Sequence, residues 1–378
     1  MILDDYRDSA AKRTFSATAR LLSALKLDGP LLVSLGLLAL YALIVQYSAS
    51  GQSLDTVMRT LMRLGLGAMA MIALAHSGPN FLRSLAPWLY GAGIALLLVV
   101  DAIGYVGKGA QRWLDLGLIR FQPSEIMKLA VPMMAAAFMH ERPLPPTWRN
   151  LLILAVIVIL PAGLVAMQPD LGTAVLIFAT GALVVLMAGL QWQVITGLVV
   201  AAGGLGVIGW NFLHDYQRQR IRVFLDPQSD PLGSGYHIIQ SQIAIGSGGL
   251  FGKGWMNGSQ AQLEFLPERS TDFIFAVIGE EFGLLGLLVL LLLYLFIVSR
   301  SLFLATQASG TFARLLASSL ALTFFVYVFI NAGMVSGLLP VVGVPLPLIS
   351  YGGTSVVTLL AGFGILMGLY SHRKLVNS

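Results

Sequence analysis

The sequence has no cysteine and few charged residues. Of its 378 residues, 11% are charged and 57% are hydrophobic, which is far from the balance of a soluble domain. The absence of cysteine excludes disulfides and thiolate chemistry. The net charge of +5 indicates no nucleic-acid partner, because basic residues flank membrane spans and contact anionic lipid headgroups. This composition predicts an integral membrane protein.

Apolar runs of the length that crosses a bilayer recur along the chain. They predict an all-α integral membrane protein of about ten transmembrane helices, with a large extracytoplasmic loop between spans seven and eight. The fourth span is unusually polar, since it contains Glu125, Lys128 and Pro132. The predicted spans are Leu31–Ala49, Thr60–His76, Leu85–Val100, Ser124–Met139, Leu151–Met167, Thr173–Leu190, Val194–Leu213, Phe273–Ser299, Leu315–Asn331 and Thr354–Tyr370.

The distribution of basic residues predicts the topology. An even number of spans places both termini on one side, and the basic N-terminal segment orients that side toward the cytoplasm. This segment lacks the apolar core and cleavage site of a signal peptide, so we expect the first span to remain as an anchor. The predicted organisation is a cytoplasmic segment 1–29, a single membrane domain 30–371 and a cytoplasmic tail 372–378. Its long extracytoplasmic loops are about 101–123 and 214–271.

Arginine is concentrated on the extracytoplasmic side, where it is normally scarce. Arg112, Arg218 and Arg220 lie in the two long loops, close to the membrane. A guanidinium can bind phosphate as a bidentate donor. Interfacial snorkelling with loop salt bridges is the alternative for any single arginine. As a group, these arginines favour an anionic substrate.

The segment Gln262–Phe282 runs from a polar loop into an apolar helix and carries the acids Asp272, Glu280 and Glu281. In a helix that starts near Asp272, Glu280 would lie about 12 Å deeper. A carboxylate inside a membrane helix costs about 2.5–3.5 kcal/mol on insertion scales. These acids are therefore candidates for function, and buried hydrogen bonds that fix helix packing are the alternative.

Three further polar residues lie in or beside predicted spans. Glu125 and Lys128 are three residues apart and share a helix face, and Asp170 lies at the mouth of the sixth span. We expect Lys128, Glu281 and Asp170 to pair, which would lower the insertion cost of each. An ion-pair strut and a catalytic or proton-handling cluster both fit. No cluster has metal-ligand spacing, so the sequence itself requires no cofactor.

Several segments resemble the signature of the SEDS (shape, elongation, division, sporulation) family, and the resemblance covers essentially all ten spans in order. Within that family, Gly337–Pro347 is similar to the elongation-type members, whereas division-type members differ around Val341–Pro345. Two positions depart from the pattern, since relatives usually have His at Ser270 and Lys at Gln242. The resembling segments are Phe265–Glu281, Arg112–Asp115, Phe121–Glu125, Gln168–Gly172, Asp230–Tyr236, Gln240–Ser241 and Ile349–Ser355.

The resemblance implies a peptidoglycan glycosyltransferase of the bacterial inner membrane, which polymerises lipid II on the extracytoplasmic face during cell elongation. Asp272 matches the family's essential loop acid, and we expect it to act as general base on the acceptor 4-hydroxyl. Trp113 matches an important loop tryptophan that would stack on a sugar. Glu125, Lys128 and Glu281 match polar residues that face the family's central cavity.

The remaining expectations concern the leaving group and the partners. Arg112, Lys128 and Arg220 are candidates for stabilising the lipid diphosphate, and Asp170 is a further candidate in the substrate site. The resemblance implies a class B penicillin-binding protein as transpeptidase partner, other elongation-complex membrane proteins, and a divalent cation as an optional aid.

Three alternative functions fit the composition: a lipid II transporter (flippase), a division-type member of the family and a non-catalytic scaffold. A transporter needs gating groups on both faces, whereas the acids, arginines and glycines here are concentrated in one external loop. The buried acids argue against a scaffold. The sequence therefore favours a polymerase.

Overall fold

The structure is a computed structural model of the chain. It describes residues 24–107, 110–115, 120–197, 215–230, 233–263 and 268–372, with the single positions 22, 200, 204, 265 and 266. The helices are α1 Gly29–Ala49, α2 Leu54–Ala75, α3 Pro79–Ile103, α4 Pro123–Met139, α5 Trp148–Met167, α6 Leu171–Met187, α7 Asp215–Leu225, α8 Ser234–Gly248, α9 Ser259–Gln262, α10 Ile274–Gln307, α11 Thr311–Val335 and α12 Ser355–Ser371.

The helices occupy the positions of the predicted spans. Within the described residues, six helices (α1, α2, α3, α5, α10 and α11) are long and apolar enough to cross a membrane. The shorter apolar helices α6 and α12 and the more polar α4 occupy three more predicted positions. The predicted seventh span, Val194–Leu213, lies mostly outside the described residues. The predicted all-α membrane fold is confirmed.

The first long loop contains a small antiparallel sheet that the sequence analysis did not predict. Its strands are β1 Tyr105–Gly107, β2 Ala110–Asp115 and β3 Arg120–Phe121, in the order β1-β2-β3. Helix α4 begins at Pro123, two residues after β3, with proline at a position where its missing N–H costs nothing. The sheet therefore holds the strand with Arg112 and Trp113 beside the start of α4.

Helix α10 is kinked at Gly283, whose φ of 64° and ψ of −161° break the helical ladder. The second long loop packs into this kink. Leu284 N donates to the Gly249 carbonyl at 2.9 Å, and Lys253 N donates to the Glu280 carbonyl at 2.9 Å. A Cβ on Gly283 would lie 2.3 Å from Gly252 N, so only glycine allows this approach.

Glu280 holds the same loop from inside the protein. Its side chain is completely buried, and its carboxylate accepts from Lys253 Nζ at 2.7 Å, Gln260 N at 3.0 Å and Ala261 N at 3.3 Å. These charge-assisted bonds offset the cost of burying the acid. For Glu280, the structure favours the packing role that the sequence left open as an alternative.

Helices α2 and α12 pack at unusually short range through glycine. A Cβ on Gly364 of α12 would lie 2.3 Å from the Met71 carbonyl of α2, and a Cβ on Gly67 would lie 2.5 Å from Leu360. Small residues allow membrane helices to approach closely and gain van der Waals contact. The approach brings α2 against α12, whose preceding loop lines the cavity described below.

We expect Gly364→Ala to destabilise the protein, because the new Cβ overlaps the backbone of α2. Overpacking of this kind costs about 1–3 kcal/mol. The Tm of the purified protein in detergent should fall. Gly65→Ala on α2 is the matched control, since its Cβ would meet nothing within 4 Å, and its Tm should equal or exceed that of wild type. A Gly364→Ala variant as stable as Gly65→Ala would contradict the close α2–α12 approach.

Candidate active site

A cavity of about 210 Å³ lies where strand β2, helices α4 and α6 and the chain around residues 268–272 and 343–355 meet. Its wall combines charged, polar and glycine residues. Of the predicted site residues, all except Arg220 and Glu281 line it, namely Asp272, Arg112, Trp113, Glu125, Lys128 and Asp170.

Asp170 connects the sheet to α6. Its Oδ2 lies 3.3 Å from Arg112 Nη1 in an ion pair and accepts from Gln122 Nε2 at 3.0 Å, while its Oδ1 accepts from Thr173 N at 3.2 Å and caps α6. The aspartate is only 6% exposed. With both oxygens engaged, Asp170 fixes Arg112 at the cavity wall, and its charge neutralises that of the guanidinium.

Glu125 and Lys128 form a buried ion pair along one face of α4. Lys128 Nζ lies 2.6 Å from Glu125 Oε1, and the two residues are 6% and 5% exposed. The ammonium also lies 5.3 Å from the centre of the Tyr327 ring. Glu125 Oε2 is buried and makes no hydrogen bond in the structure. The pair places one charge of each sign in the cavity wall.

The expected pairing of Lys128, Glu281 and Asp170 is wrong. Lys128 is satisfied within its own helix by Glu125, and Asp170 pairs with Arg112. Glu281 instead accepts from Ser48 Oγ of α1 at 2.5 Å. Nine residues, about two and a half helical turns, separate Glu281 from Asp272, so Glu281 lies on the face of the segment that is opposite the cavity. Neither Glu281 nor Arg220, which lies on α7, lines the cavity.

Asp272 lies in the short turn that precedes α10, which we call the Asp272 turn and define as residues 268–273. The residue is half-buried, and its carboxylate is in the cavity wall. Its Oδ2 would be 3.4 Å from a Cβ on Gly343, a residue with φ of 72°. A bare backbone at position 343 therefore leaves room beside the carboxylate.

Three buried side chains hold the backbone of the Asp272 turn, and we call them the turn clamp. Each donates to one of three consecutive carbonyls: Gln46 Nε2 to Ser270 O at 2.9 Å, Ser350 Oγ to Thr271 O at 2.5 Å and Asn331 Nδ2 to Asp272 O at 2.8 Å. Gln46 lies on α1, Ser350 lies in the loop before α12, and Asn331 lies on α11. All three are at most 2% exposed. A turn held at three successive carbonyls keeps its acid in one place.

The turn clamp also joins the turn to the loop on the other side of the cavity. Gln46 Nε2 donates to Ile349 O at 2.7 Å, and Asn331 Nδ2 donates to Val344 O at 2.7 Å. Ser350 Oγ accepts from Leu346 N at 2.7 Å. Sequence reasoning did not identify these residues. Two of them could have been identified from the sequence, because Gln46 and Asn331 are polar amide side chains inside apolar spans.

Ser270, which departs from the family pattern, contributes to the site through its backbone. In the hydrogen bonds around it, Ser270 contributes its backbone carbonyl, which also accepts from Tyr351 N at 2.8 Å. The ring of His237 of α8 stacks on Phe273, the last residue of the Asp272 turn, with centroids 5.5 Å apart. Burial lowers the pKa of His237 below the usual value of an imidazole.

No metal centre is apparent in the part of the chain that the structure describes. Those residues include no group of three His, Asp or Glu side chains that could hold an ion. A role for a divalent cation stays a prediction.

Comparison with known proteins identifies the family. The family model described as "Cell cycle protein", which covers FtsW, RodA and SpoVE, matches residues 24–375. The peptidoglycan glycosyltransferase MrdB of Escherichia coli (strain K12) is 53% identical over 352 residues, which are 93% of this chain and 95% of the relative.

Solved structures show the same similarity. A chain of a peptidoglycan synthase complex that coordinates polymerization and crosslinking superposes with a TM-score of 0.82 at 32% identity, covering 92% of this chain and 98% of that one. The rod shape determining protein RodA of Thermus thermophilus superposes with a TM-score of 0.70 at 30% identity, covering 92% and 97%. The chain described here therefore belongs to the FtsW/RodA/SpoVE family of cell cycle proteins.

Proposed function

We propose that Asp272 is the general base of this chain, which is a peptidoglycan glycosyltransferase that polymerises lipid II into glycan during cell elongation. Its carboxylate takes the proton of the acceptor 4-hydroxyl. The oxygen attacks the anomeric carbon of the donor sugar, and the bond from that carbon to the lipid diphosphate breaks. A positioned base of this kind contributes about 10²–10⁴-fold to the rate.

The turn clamp is the observation that carries this assignment. General-base catalysis needs the base within hydrogen-bond reach of the proton that it removes. Small displacements are costly, because productive geometry requires the reacting atoms about 3–3.5 Å apart. Three buried donors that fix the carbonyls of residues 270–272 supply such positioning.

Two other carboxylates of the cavity, Asp170 and Glu125, suit different roles. Both oxygens of Asp170 are engaged, and Glu125 neutralises Lys128 at 2.6 Å. Both acids are nearly buried, whereas Asp272 is half-buried in the cavity wall. We assign Asp170 and Glu125 to shaping the substrate site, and Asp272 to proton transfer.

The surroundings of Trp113 support a contact with the sugars. Its ring lies beside the glycine pair before α12, since a Cβ on Gly353 would lie 3.8 Å from the indole. A flat aromatic surface next to a bare backbone offers a slot for a pyranose ring. A substrate-binding role for Arg220 or Glu281, which do not line the cavity, stays a prediction.

The chain is a multi-pass protein of the bacterial inner membrane. We further propose that residues 30–371 form one membrane domain, that segments 1–29 and 372–378 are cytoplasmic, and that the cavity opens on the extracytoplasmic face. A class B penicillin-binding protein is the proposed partner, together with other membrane proteins of the elongation complex. The similarity to a chain of a synthase complex that coordinates polymerization and crosslinking supports this partner.

We expect Asp272→Asn to lower the single-turnover rate of glycan formation from purified lipid II by about 10²-fold or more. The amide keeps the shape of the side chain but cannot accept the proton. Asp101→Asn, at an exposed acid at the end of α3, is the matched control and should polymerise like wild type. An Asp272→Asn protein with the wild-type rate and Tm would exclude Asp272 as the base.

We expect Ser350→Ala to lower kcat more than it changes KM, because it releases the Thr271 carbonyl and loosens the Asp272 turn. Ser319→Ala is the matched control. Ser319 is also fully buried and donates to a carbonyl of another helix, Thr180 O, at 2.7 Å, but away from the cavity. Both variants should lose about 0.5–1.5 kcal/mol of stability. Equal effects on kcat would show that Ser350 has only a packing role.

A further inference from the structure

Among the residues that the structure describes, every cation in the cavity wall is paired with a carboxylate. The two cations that line it are Arg112 and Lys128, and each is within 3.3 Å of a carboxylate, on Asp170 and Glu125 respectively. Departure of a lipid diphosphate requires positive charge at the position where negative charge develops. A cation with no carboxylate partner, next to this wall, would meet that requirement.

Arg63 of α2 is such a cation. Its Nη1 donates to Gly352 O at 3.2 Å, its Nη2 donates to Tyr351 Oη at 3.1 Å, and its guanidinium carbon lies 4.2 Å from the centre of the Tyr351 ring. All of these acceptors are neutral. Among the residues that the structure describes, no carboxylate forms an ion pair with Arg63.

Arg63 lies deep in a candidate membrane span. It is nine residues after the first residue of α2, which corresponds to about 13 Å along the helix axis. An arginine near the centre of a span costs about 2.5–3.5 kcal/mol on insertion scales. The guanidinium of Arg63 bonds to the loop that precedes α12, and this loop lies toward the N-terminal end of α2, since Met71 of α2 is level with Gly364 of α12. The protein therefore holds an uncompensated charge at this loop.

We infer that Arg63 binds the phosphate oxygens of the polyprenyl diphosphate that carries the sugar, on the side of the cavity formed by Tyr351 and Gly352. This inference rests on the proposed function. Both residues line the cavity, and Arg63, which does not line it, bonds to them from the other side of the wall. Arginine has five N–H donors, and two of its nitrogens are already oriented by the loop, which leaves donors for a bidentate contact with phosphate.

The test is equilibrium binding of undecaprenyl diphosphate to the full chain in nanodiscs. Arg63→Gln should weaken binding about tenfold to a hundredfold, as expected for loss of charge-assisted hydrogen bonds. Arg63→Lys keeps the charge but loses the fork, so it should bind with intermediate affinity. Arg59→Gln is the matched control, since Arg59 is exposed one turn earlier on the same helix, and it should bind like wild type.

Competition distinguishes a diphosphate site from a general lipid-phosphate site. Undecaprenyl monophosphate and phosphatidylglycerol should displace the diphosphate weakly from wild type. Equal displacement by phosphatidylglycerol would overturn the inference in favour of a headgroup site. Wild-type affinity in Arg63→Gln, or the same loss in Arg59→Gln, would also overturn it. If Arg63→Gln does not fold, Arg63→Lys still tests the inference. An Arg63→Lys protein with wild-type affinity would exclude recognition by the guanidinium.

The binding assay also separates this inference from the assignment of the general base. Asp272→Asn should bind undecaprenyl diphosphate like wild type while it fails to polymerise. An active Asp272→Asn protein would refute the proposed base and leave the Arg63 site intact. Normal binding by Arg63→Gln together with an inactive Asp272→Asn protein would refute only the Arg63 site.

Discussion

Buried hydrogen bonds from side chains to the backbone of the Asp272 turn determine the geometry of the cavity. The carbonyls of residues 270–272 precede α10 and are outside its ladder of hydrogen bonds, and unsatisfied buried carbonyls are costly. Gln46, Ser350 and Asn331 satisfy three of them in succession. Because the same side chains also bond to the chain between 344 and 350, the two walls of the cavity are fixed relative to each other.

The three acids of the segment that leads into α10 have separate roles. Asp272 lies in the cavity wall, Glu280 holds the second long loop, and Glu281 bonds to Ser48 of α1. One helix can carry both buried acids because α10 is kinked at Gly283. The second long loop enters the gap that this kink leaves in the hydrogen bonds of the helix. Insertion cost alone therefore does not distinguish catalytic acids from structural ones, since hydrogen bonds offset it in both cases.

Hydropathy predicted the membrane fold, since each span depends on local composition. The family resemblance assigned roles to Asp272 and Lys128, and the arginines of the long loops indicated Arg112; all three line one cavity. The resemblance did not reveal the small sheet, because β1 and β3 have only three and two residues and Ala110–Asp115 does not alternate between apolar and polar residues. The turn clamp was also missed, because its members are distant in sequence and uncharged. The expected cross-helix pairing of Lys128 failed because Glu125, one turn away, satisfies the ammonium within the same helix.

This cavity geometry predicts where the acceptor hydroxyl of the bound substrate lies. The most direct measurement is a cryo-electron microscopy map of the Asp272→Asn protein with lipid II in the donor and acceptor positions. The account predicts the acceptor 4-hydroxyl within hydrogen-bond distance of the side chain at position 272, with the turn still bonded to Gln46, Ser350 and Asn331. An acceptor hydroxyl that instead contacts Glu125 or Asp170 would contradict the central claim.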